Sequence, residues 1–133
     1  GSTSRVLIVD DDVSVTDTFS RMLRLEGYEV WAALSADEGL TLAQAHRPHA
    51  IILDAMLPHL SGYEVCRLLK FDQKYQHIPV ILFTARTRQE DREMGQAVGA
   101  DAYLTKPASG TDLLAAVDEL LNHTPASPAG GPS

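Results

Sequence analysis

A regular alternation of two kinds of segment constrains this chain of 133 residues more than any other feature. Short apolar runs, several of them β-branched, indicate five strands, at 6–9, 28–33, 50–53, 79–83 and 102–104. Between them, apolar residues recur at helical spacing, which places them on one face of a helix; examples are Val15, Phe19, Met22, Leu23 and Leu113, Val117, Leu120, Leu121. This alternation predicts an α/β fold with a parallel sheet, helices on both faces and right-handed crossovers.

Helix boundaries are marked by capping residues. A serine or threonine is followed three residues later by an acid in four places, the spacing of a capping box: Ser35 and Glu38, Ser61 and Glu64, Thr87 and Glu90, Ser109 and Asp112. Gly27 and Gly99 fall just past the first and fourth predicted helices, where a left-handed residue ends a helix. These signals support a (βα) unit repeated five times.

Composition limits the domain and its setting. Residues 1–4 resemble a cloning remnant, 5–122 form the predicted domain, and 123–133 have the composition of a flexible tail or linker stump. The net charge of −7, without a basic cluster, argues against nucleic-acid binding by this chain. A single cysteine, Cys66, and the lack of a long apolar segment indicate a reducing, cytoplasmic setting away from membranes.

Polar residues gather where the strands end. All strands of a parallel sheet deliver their carboxyl ends to one edge, where open α/β sheets place their sites. The residues that follow the predicted first, third, fourth and fifth strands are Asp10 and Asp11, Asp54, Thr84, and Thr105, Lys106 and Pro107. Carboxylates that share a site repel one another by roughly 4 kcal/mol per pair at 4 Å and an effective dielectric near 20, and a hard cation relieves this repulsion. The set therefore predicts a magnesium-dependent phosphoryl site in which an aspartate can be the nucleophile.

Four motifs agree in order and spacing with one family. "LIVDDD", "IILDAMLPHLSGYEV", "IPVILFTAR" and "GADAYLTKP" resemble the receiver domain of bacterial two-component response regulators, over residues 5 to about 122. The resemblance implies a flavodoxin-like, doubly wound (βα)5 fold with strand order 2-1-3-4-5.

The resemblance also implies a role for each site residue. Asp54 corresponds to the phosphoacceptor, and Thr84 and Lys106 to the two residues that contact the phosphoryl group. Asp10 and Asp11 correspond to the acidic pair that holds Mg2+ or Mn2+, together with Asp54 and the backbone carbonyl of Met56. The family's Lys-Pro bond is cis, which would make Lys106-Pro107 a constrained turn.

Switching, by the same resemblance, involves Thr84, which moves toward the phosphoryl group, and Tyr103, which turns inward behind it. The surface that changes comprises the fourth helix, fifth strand and fifth helix. The fourth helix, from about 87 to 98, offers only Met94, Ala97 and Val98 as a buried stripe, and a weakly anchored helix is easily shifted.

The implied function is a signalling switch that accepts a phosphoryl group from a sensor histidine kinase or a phosphotransfer protein. Such a protein is not an enzyme in the ordinary sense, although it catalyses its own phosphorylation and slow dephosphorylation. An output domain beyond the C-terminus and a homodimer are both compatible with it. The alternative is a receiver-like interaction module that is not phosphorylated.

Two other phosphate-handling classes fit less well. A flavodoxin-type FMN site needs hydroxyls and amides after the first strand, where this chain has aspartates that would repel a phosphate. A phosphatase of the haloacid dehalogenase type needs a second aspartate two residues after the nucleophile, and Met56 stands there.

Other residues receive ordinary structural interpretations. Asp12 is predicted to cap the first helix rather than to bind metal. His46 and His49 are expected to be exposed, and Cys66 to lie one position off a buried stripe of Val65, Leu68 and Leu69 as a structural or half-exposed thiol.

Departures from the family pattern concern the output face and the lifetime of the phosphoryl group. Ala102 and Ala108 stand where the winged-helix subclass usually has an acid and a phenylalanine, so the salt-bridged dimer of that subclass is not expected. Met56 and Arg86 occupy the positions that influence attack by water in the family, and their bulk predicts slow self-dephosphorylation.

Overall fold

A computed structural model describes residues 4–57, 60–85, 89–106 and 109–122. It contains five strands in alternation with five helices, close to the predicted positions. The strands are β1 (Arg5–Val9), β2 (Glu29–Ala33), β3 (Ala50–Asp54), β4 (Val80–Thr84) and β5 (Ala102–Thr105). The helices are α1 (Val13–Leu25), α2 (Ala36–His46), α3 (Gly62–Lys70), α4 (Gln89–Ala97) and α5 (Gly110–Asn122). No helix in the described part of the chain is long and apolar enough to cross a membrane.

The strands form one parallel sheet of order β2-β1-β3-β4-β5, which confirms the predicted topology. The register aligns Asp54 with Phe83, and Thr84 with Thr105. Because the strands run in the same direction, their last residues meet at a single edge of the sheet.

Each face of the sheet has its own core, because successive side chains of a strand point to opposite faces. Leu7, Val9, Ile51 and Leu53 pack in the core that also contains buried residues of α2 and α3. The alternate residues face the core that contains α1 and α5; they include Val6, Ile8, Ile52 and Ile81. The central strands are thus apolar on both sides, as buried parallel strands are.

Most of the predicted helix boundaries are observed. Asp12 caps α1, since its carboxylate accepts hydrogen bonds from Ser14 N and Val15 N, and Ser35 and Ser61 cap α2 and α3. The hydroxyl of Ser109 likewise accepts from Asp112 N at 3.0 Å. Gly27 and Gly99 have φ values of 96° and 86°. The cap expected at Thr87 lies outside the described residues.

The buried face of α3 differs from the predicted stripe. Cys66 is fully buried and its thiol lies 3.6 Å from the carbonyl oxygen of Val98, whereas Leu68 is 55% exposed. Val65, Cys66 and Leu69 therefore form the core-facing side, with Cys66 in place of Leu68. Burial raises the pKa of the Cys66 thiol to about 12.

The buried face of α4 also differs. Met94 is 50% exposed and Ala97 is exposed, while Gly95 and Val98 are buried. The predicted stripe of Met94, Ala97 and Val98 is confirmed at Val98 and wrong at Met94 and Ala97, because apolarity alone does not report which turn of the helix approaches the sheet. A β-carbon on Gly95 would lie 2.9 Å from Cδ2 of Tyr103, so this small residue lets the helix backbone approach the ring.

The two histidines have different surroundings. His49 is exposed, as expected, but His46 is half-buried and its ring stacks on Trp31 with centroids 4.2 Å apart. The prediction that His46 is exposed is wrong, because its stacking partner Trp31 comes from β2, fifteen residues earlier in the chain. Ser4, assigned to the remnant, accepts a hydrogen bond from Glu29 N through its carbonyl oxygen.

Candidate functional site at the carboxyl edge of the sheet

Three polar residues at the ends of the central strands are buried. Asp10 follows β1 directly and is 1% exposed, and Asp54 and Thr84 are the last residues of β3 and β4, at 5% and 0%. Among the acidic residues that the structure describes, Asp10 and Asp54 are the buried ones. A buried carboxylate is costly unless it is paired or binds a cation, so these two indicate a functional site.

Lys106 connects the two carboxylates. Its Nζ donates to Oδ2 of Asp10 at 2.9 Å and lies 3.4 Å from Oδ2 of Asp54. The lysine is held in place because its backbone N–H donates to the carbonyl oxygen of Thr84 at 2.7 Å, directly beyond β5. Its ammonium group also lies 5.1 Å from the centre of the Phe83 ring. The positive charge is thereby fixed between the acids.

These contacts shift two pKa values. Burial raises the pKa of Asp54, and the charge of Asp10 adds to this, although the N–H of Met56 and the ammonium of Lys106 oppose it. For Lys106, burial by itself would lower the pKa, but the hydrogen bond to Asp10 and the charges of Asp54 and Asp10 raise it overall. Lys106 therefore remains protonated in this site.

The three consecutive aspartates, Asp10, Asp11 and Asp12, do not all have the same role. One carboxylate oxygen from each of Asp10, Asp11 and Asp54 lies within 4.8 Å of the others, and Asp11 is exposed to solvent. Asp12 is directed to the start of α1, where it caps the helix. Its own backbone N–H donates to Oδ1 of Asp10 at 2.9 Å, which helps to orient that carboxylate. Three carboxylates at this spacing suit a hard cation with oxygen ligands, such as magnesium.

The turn after β3 is closely packed. Met56 N donates to Oδ1 of Asp54 at 2.9 Å, and the Met56 side chain is 47% exposed. Gly62 N donates to the carbonyl oxygen of Ala55, and a β-carbon on Gly62 would clash with the backbone oxygen of Asp54. The role of Gly62 in this turn was not predicted from the sequence, although a glycine at the first position of a helix was a usable signal.

Tyr103 and Thr84, the predicted switch residues, lie on neighbouring strands. Tyr103 is half-buried in β5, packs against Gly95 and has its hydroxyl 3.2 Å from that of Tyr63, while the Thr84 side chain is buried. Pro107 and Arg86 lie outside the described residues. Of the other predicted site residues, Asp10, Asp11, Asp54 and Lys106 lie together at the end of the sheet.

The fold and the site together define a flavodoxin-like α/β protein with an acidic, lysine-containing site at the carboxyl ends of its strands. The sequence profile of the response regulator receiver domain matches residues 6–118. The chain belongs to this family, the receiver domains of two-component systems, as the sequence motifs predicted.

Curated relatives support this assignment. The chain is 41% identical over 120 residues to the DNA-binding dual master transcriptional regulator RpaA of Synechocystis sp., which covers 90% of this chain and 50% of the relative. It is 41% identical over 128 residues to the response regulator MprA of Mycobacterium sp., covering 96% of this chain and 54% of the relative. The chain thus spans about half the length of the curated relatives it matches.

Solved structures show the same architecture. A CheY-like receiver domain protein from Methanospirillum hungatei superposes with a TM-score of 0.87 at 32% identity, covering 92% of this chain and 97% of that one. The chemotaxis protein CheY4 of Vibrio cholerae superposes with a TM-score of 0.86 at 33% identity, covering 90% and 100%. Both are similar over nearly their whole length.

Proposed function

We propose that this chain is a phosphorylation-dependent switch in which Asp54 accepts a phosphoryl group from a sensor histidine kinase or a phosphotransfer protein. The observation that carries the proposal is the position of Asp54, whose carboxylate shares a buried site with Asp10 and the ammonium of Lys106. A carboxylate nucleophile and a fixed positive charge are the main requirements of phosphoryl transfer to an aspartate.

The donor set fits a magnesium or manganese ion. Asp10, Asp11 and Asp54 would hold the ion, with the backbone carbonyl of Met56 as a further ligand by the family resemblance. When bound, the ion supplies charge neutralisation for the carboxylates and for the phosphoryl oxygens. The clustering of the three acids supports this part of the proposal.

The side chains of this chain perform the remaining steps. A carboxylate oxygen of Asp54 forms the new bond to phosphorus while the bond from phosphorus to the donor nitrogen breaks, and the electron pair leaves with that nitrogen. The ammonium of Lys106 is close enough to Asp54 to bind an oxygen of the transferred group. Thr84 contributes a hydroxyl from the end of the next strand. Slow hydrolysis of the acyl phosphate returns Asp54 to its starting state.

Switching is proposed to act through Thr84 and Tyr103 on the face formed by α4, β5 and α5. The new charge, about two negative units at Asp54, favours a shift of Thr84 toward the phosphoryl group. Among the described side chains of α4, Gly95 is the buried one, and Val98 is buried just past its end; this small buried surface supports easy displacement of the helix.

The wider setting follows from the family. We expect a cytoplasmic protein whose partner is a sensor histidine kinase or a phosphotransfer protein. RpaA is described as DNA-binding and is about twice the length matched here, so an output domain beyond residue 122 is a reasonable expectation. The proposed function is also compatible with a homodimer whose interface differs from the salt-bridged interface of the winged-helix subclass.

The direct test is phosphorylation by a small donor. Incubation with acetyl phosphate and magnesium should add the mass of one phosphoryl group to the wild-type protein and to Asp17→Asn, which changes an exposed acid of α1. Asp54→Asn should show no mass gain, and EDTA should abolish the gain in the wild type. A wild-type protein that gains no mass from acetyl phosphate or phosphoramidate would support the alternative, an unphosphorylated interaction module.

A further inference from the structure

A cavity lies at the edge of the sheet opposite the acidic site. Its volume is about 840 Å³, and its walls include residues that precede or begin strands, among them Arg5, His49, Pro79 and Asp101. Because the sheet is parallel, this edge lies a full strand length from Asp54. The cavity is therefore separate from the phosphorylation site.

The charge of this cavity is opposite to that of the molecule. The chain has 11 Lys and Arg against 18 Asp and Glu, yet the cavity is lined by three of the former and one of the latter: Arg5, Arg47, Lys70 and Asp101. Asp101 is paired with Lys70 at 2.8 Å. Among the described residues, Arg5 and Arg47 form no ion pair with a carboxylate, so the charged side chains that line the cavity have a net positive charge.

Arg5 forms a rigid part of the wall. Its Nε and one terminal nitrogen donate to the carbonyl oxygens of His46 and Arg47, each at 2.8 Å. These bonds supply hydrogen-bond donors for backbone carbonyls at the C-terminal end of α2. Its backbone N–H donates to Nδ1 of His49 at 2.8 Å, which leaves Nε2 of the neutral ring as the protonated nitrogen. Partial burial of the imidazole ring and, secondarily, the charge of Arg5 lower the pKa of His49.

Arg47 occupies a backbone position that does not favour arginine. Among the described non-glycine residues, Arg47 is the one with a positive φ, 47°. It ends α2 at a position where glycine is the usual residue. Such a conformation costs on the order of 1 kcal/mol for a residue with a side chain. Its guanidinium lies 5.7 Å from the ring of Tyr75 and forms no ion pair with a described residue. Glycine would end the helix at a lower conformational cost, so the helix end does not account for an arginine at this position.

Much of the rest of the wall is apolar and is formed by Pro48, Ile78, Pro79, Leu120 and Leu121. The polar residues Ser4 and Gln76 and the exposed His77 complete it. Cavities of about 300–1,000 Å³ with apolar walls and a few charged groups are typical of small-molecule sites. Arginine is suited to phosphate because its planar donors match the oxygen geometry.

We propose that this cavity binds a small organic phosphate, with Arg47, His49 and His77 meeting the phosphate groups and the apolar wall meeting the organic part. The site is independent of phosphorylation at Asp54, and its occupant would place a second input at the opposite end of the sheet.

The test uses the unphosphorylated protein in EDTA, titrated with ATP and, separately, with tripolyphosphate. ATP should shift the imidazole and nearby amide NMR signals of His49 and His77 and raise the pKa of His49. Arg47→Gly should weaken ATP binding by about tenfold, the equivalent of about 1.4 kcal/mol for a lost charged contact. Arg47→Lys should weaken it less, and Arg21→Ala, a change at an exposed arginine of α1, should leave it unchanged.

Arg47→Gly is a suitable variant, because glycine accepts the positive φ and this offsets the lost contact with the Tyr75 ring. Unchanged affinity in Arg47→Gly would overturn the proposal. So would signals that move only around Asp10, Asp54 and Lys106, or no response to ATP at millimolar concentration. Equal affinity for tripolyphosphate and ATP would exclude a role of the apolar wall and hence an organic ligand.

Discussion

The hydroxyl groups of Tyr63 and Tyr103 lie 3.2 Å apart and join the first turn of α3 to β5. Tyr63 follows Gly62, which lies against the backbone of Asp54. The tyrosine pair therefore connects the turn after β3, called here the acceptor turn, with the proposed switch residue Tyr103. An inward or outward movement of Tyr103 must alter this contact.

We expect the two hydroxyls to be energetically coupled. Tyr63→Phe and Tyr103→Phe should each lower the free energy of unfolding, and the double variant should lose less than the sum by about 0.5–1.5 kcal/mol, the net value of a hydrogen bond. Urea denaturation of all four proteins measures the coupling. Strict additivity would show that the hydroxyls do not interact in solution.

Gly62 should be intolerant of a side chain. Its β-carbon would clash with the Asp54 carbonyl oxygen and lie 2.7 Å from the Cα of Ala55, so Gly62→Ala should cost about 2–4 kcal/mol of stability and disturb the acceptor turn. Gly110→Ala is a matched control, because Gly110 is also the first residue of a helix after a serine. Its contact is with the flexible end of Met22, so it should cost less than about 1 kcal/mol. Equal losses in thermal or urea unfolding would contradict the close packing at Gly62.

Magnesium should stabilise the folded protein. At ten times its Kd the ion adds about 1.4 kcal/mol, equivalent to a rise of about 4 °C in Tm. Asp11→Asn should lose most of this rise, whereas Asp12→Asn should keep it, because asparagine still caps α1 and Asp12 lies outside the acidic cluster. Differential scanning fluorimetry with and without magnesium measures both; a flat response in the wild type would count against the metal site.

The side chain of Met56 should slow the loss of the phosphoryl group. It is 47% exposed beside Asp54, where its bulk can hinder an attacking water. Met56→Asn is expected to shorten the phosphoryl lifetime by about tenfold, or about 1.4 kcal/mol in the barrier, while Met56→Leu should preserve it. The decay of the phosphorylated mass over time provides the measurement, and an unchanged rate in the asparagine variant would refute the role of Met56.

Cys66 should contribute to alkaline destabilisation. Its pKa is about 12 in the folded protein against 9.0 for a free thiol, so between these values the unfolded chain loses its proton while the folded chain keeps it. The free energy of unfolding should therefore fall as pH rises above 9.0, and the slope should be smaller in Cys66→Ala. Urea titrations at pH 8 and pH 10 measure the difference. Identical pH slopes would indicate an accessible thiol, as would rapid alkylation by iodoacetamide without denaturant.

Local signals in the sequence were enough for the element order. Strand composition, helical spacing and capping residues act within a few neighbours, so the alternation, the caps at Asp12, Ser35 and Ser61, and the turn at Gly27 could be predicted. The common edge of Asp10, Asp54 and Lys106 followed from one further rule, that parallel strands end together.

Only the tertiary structure decided which helix turns meet the sheet and how distant side chains pair. Lys106 reaches Asp10 across 96 positions of sequence, His46 stacks on a strand residue, and Cys66 rather than Leu68 enters the core. In α4, Gly95 faces Tyr103 because close approach of the backbone needs a residue without a side chain, which hydropathy does not report. Such features depend on the shape and charge of neighbours from other parts of the chain, and these come together only when the chain has folded.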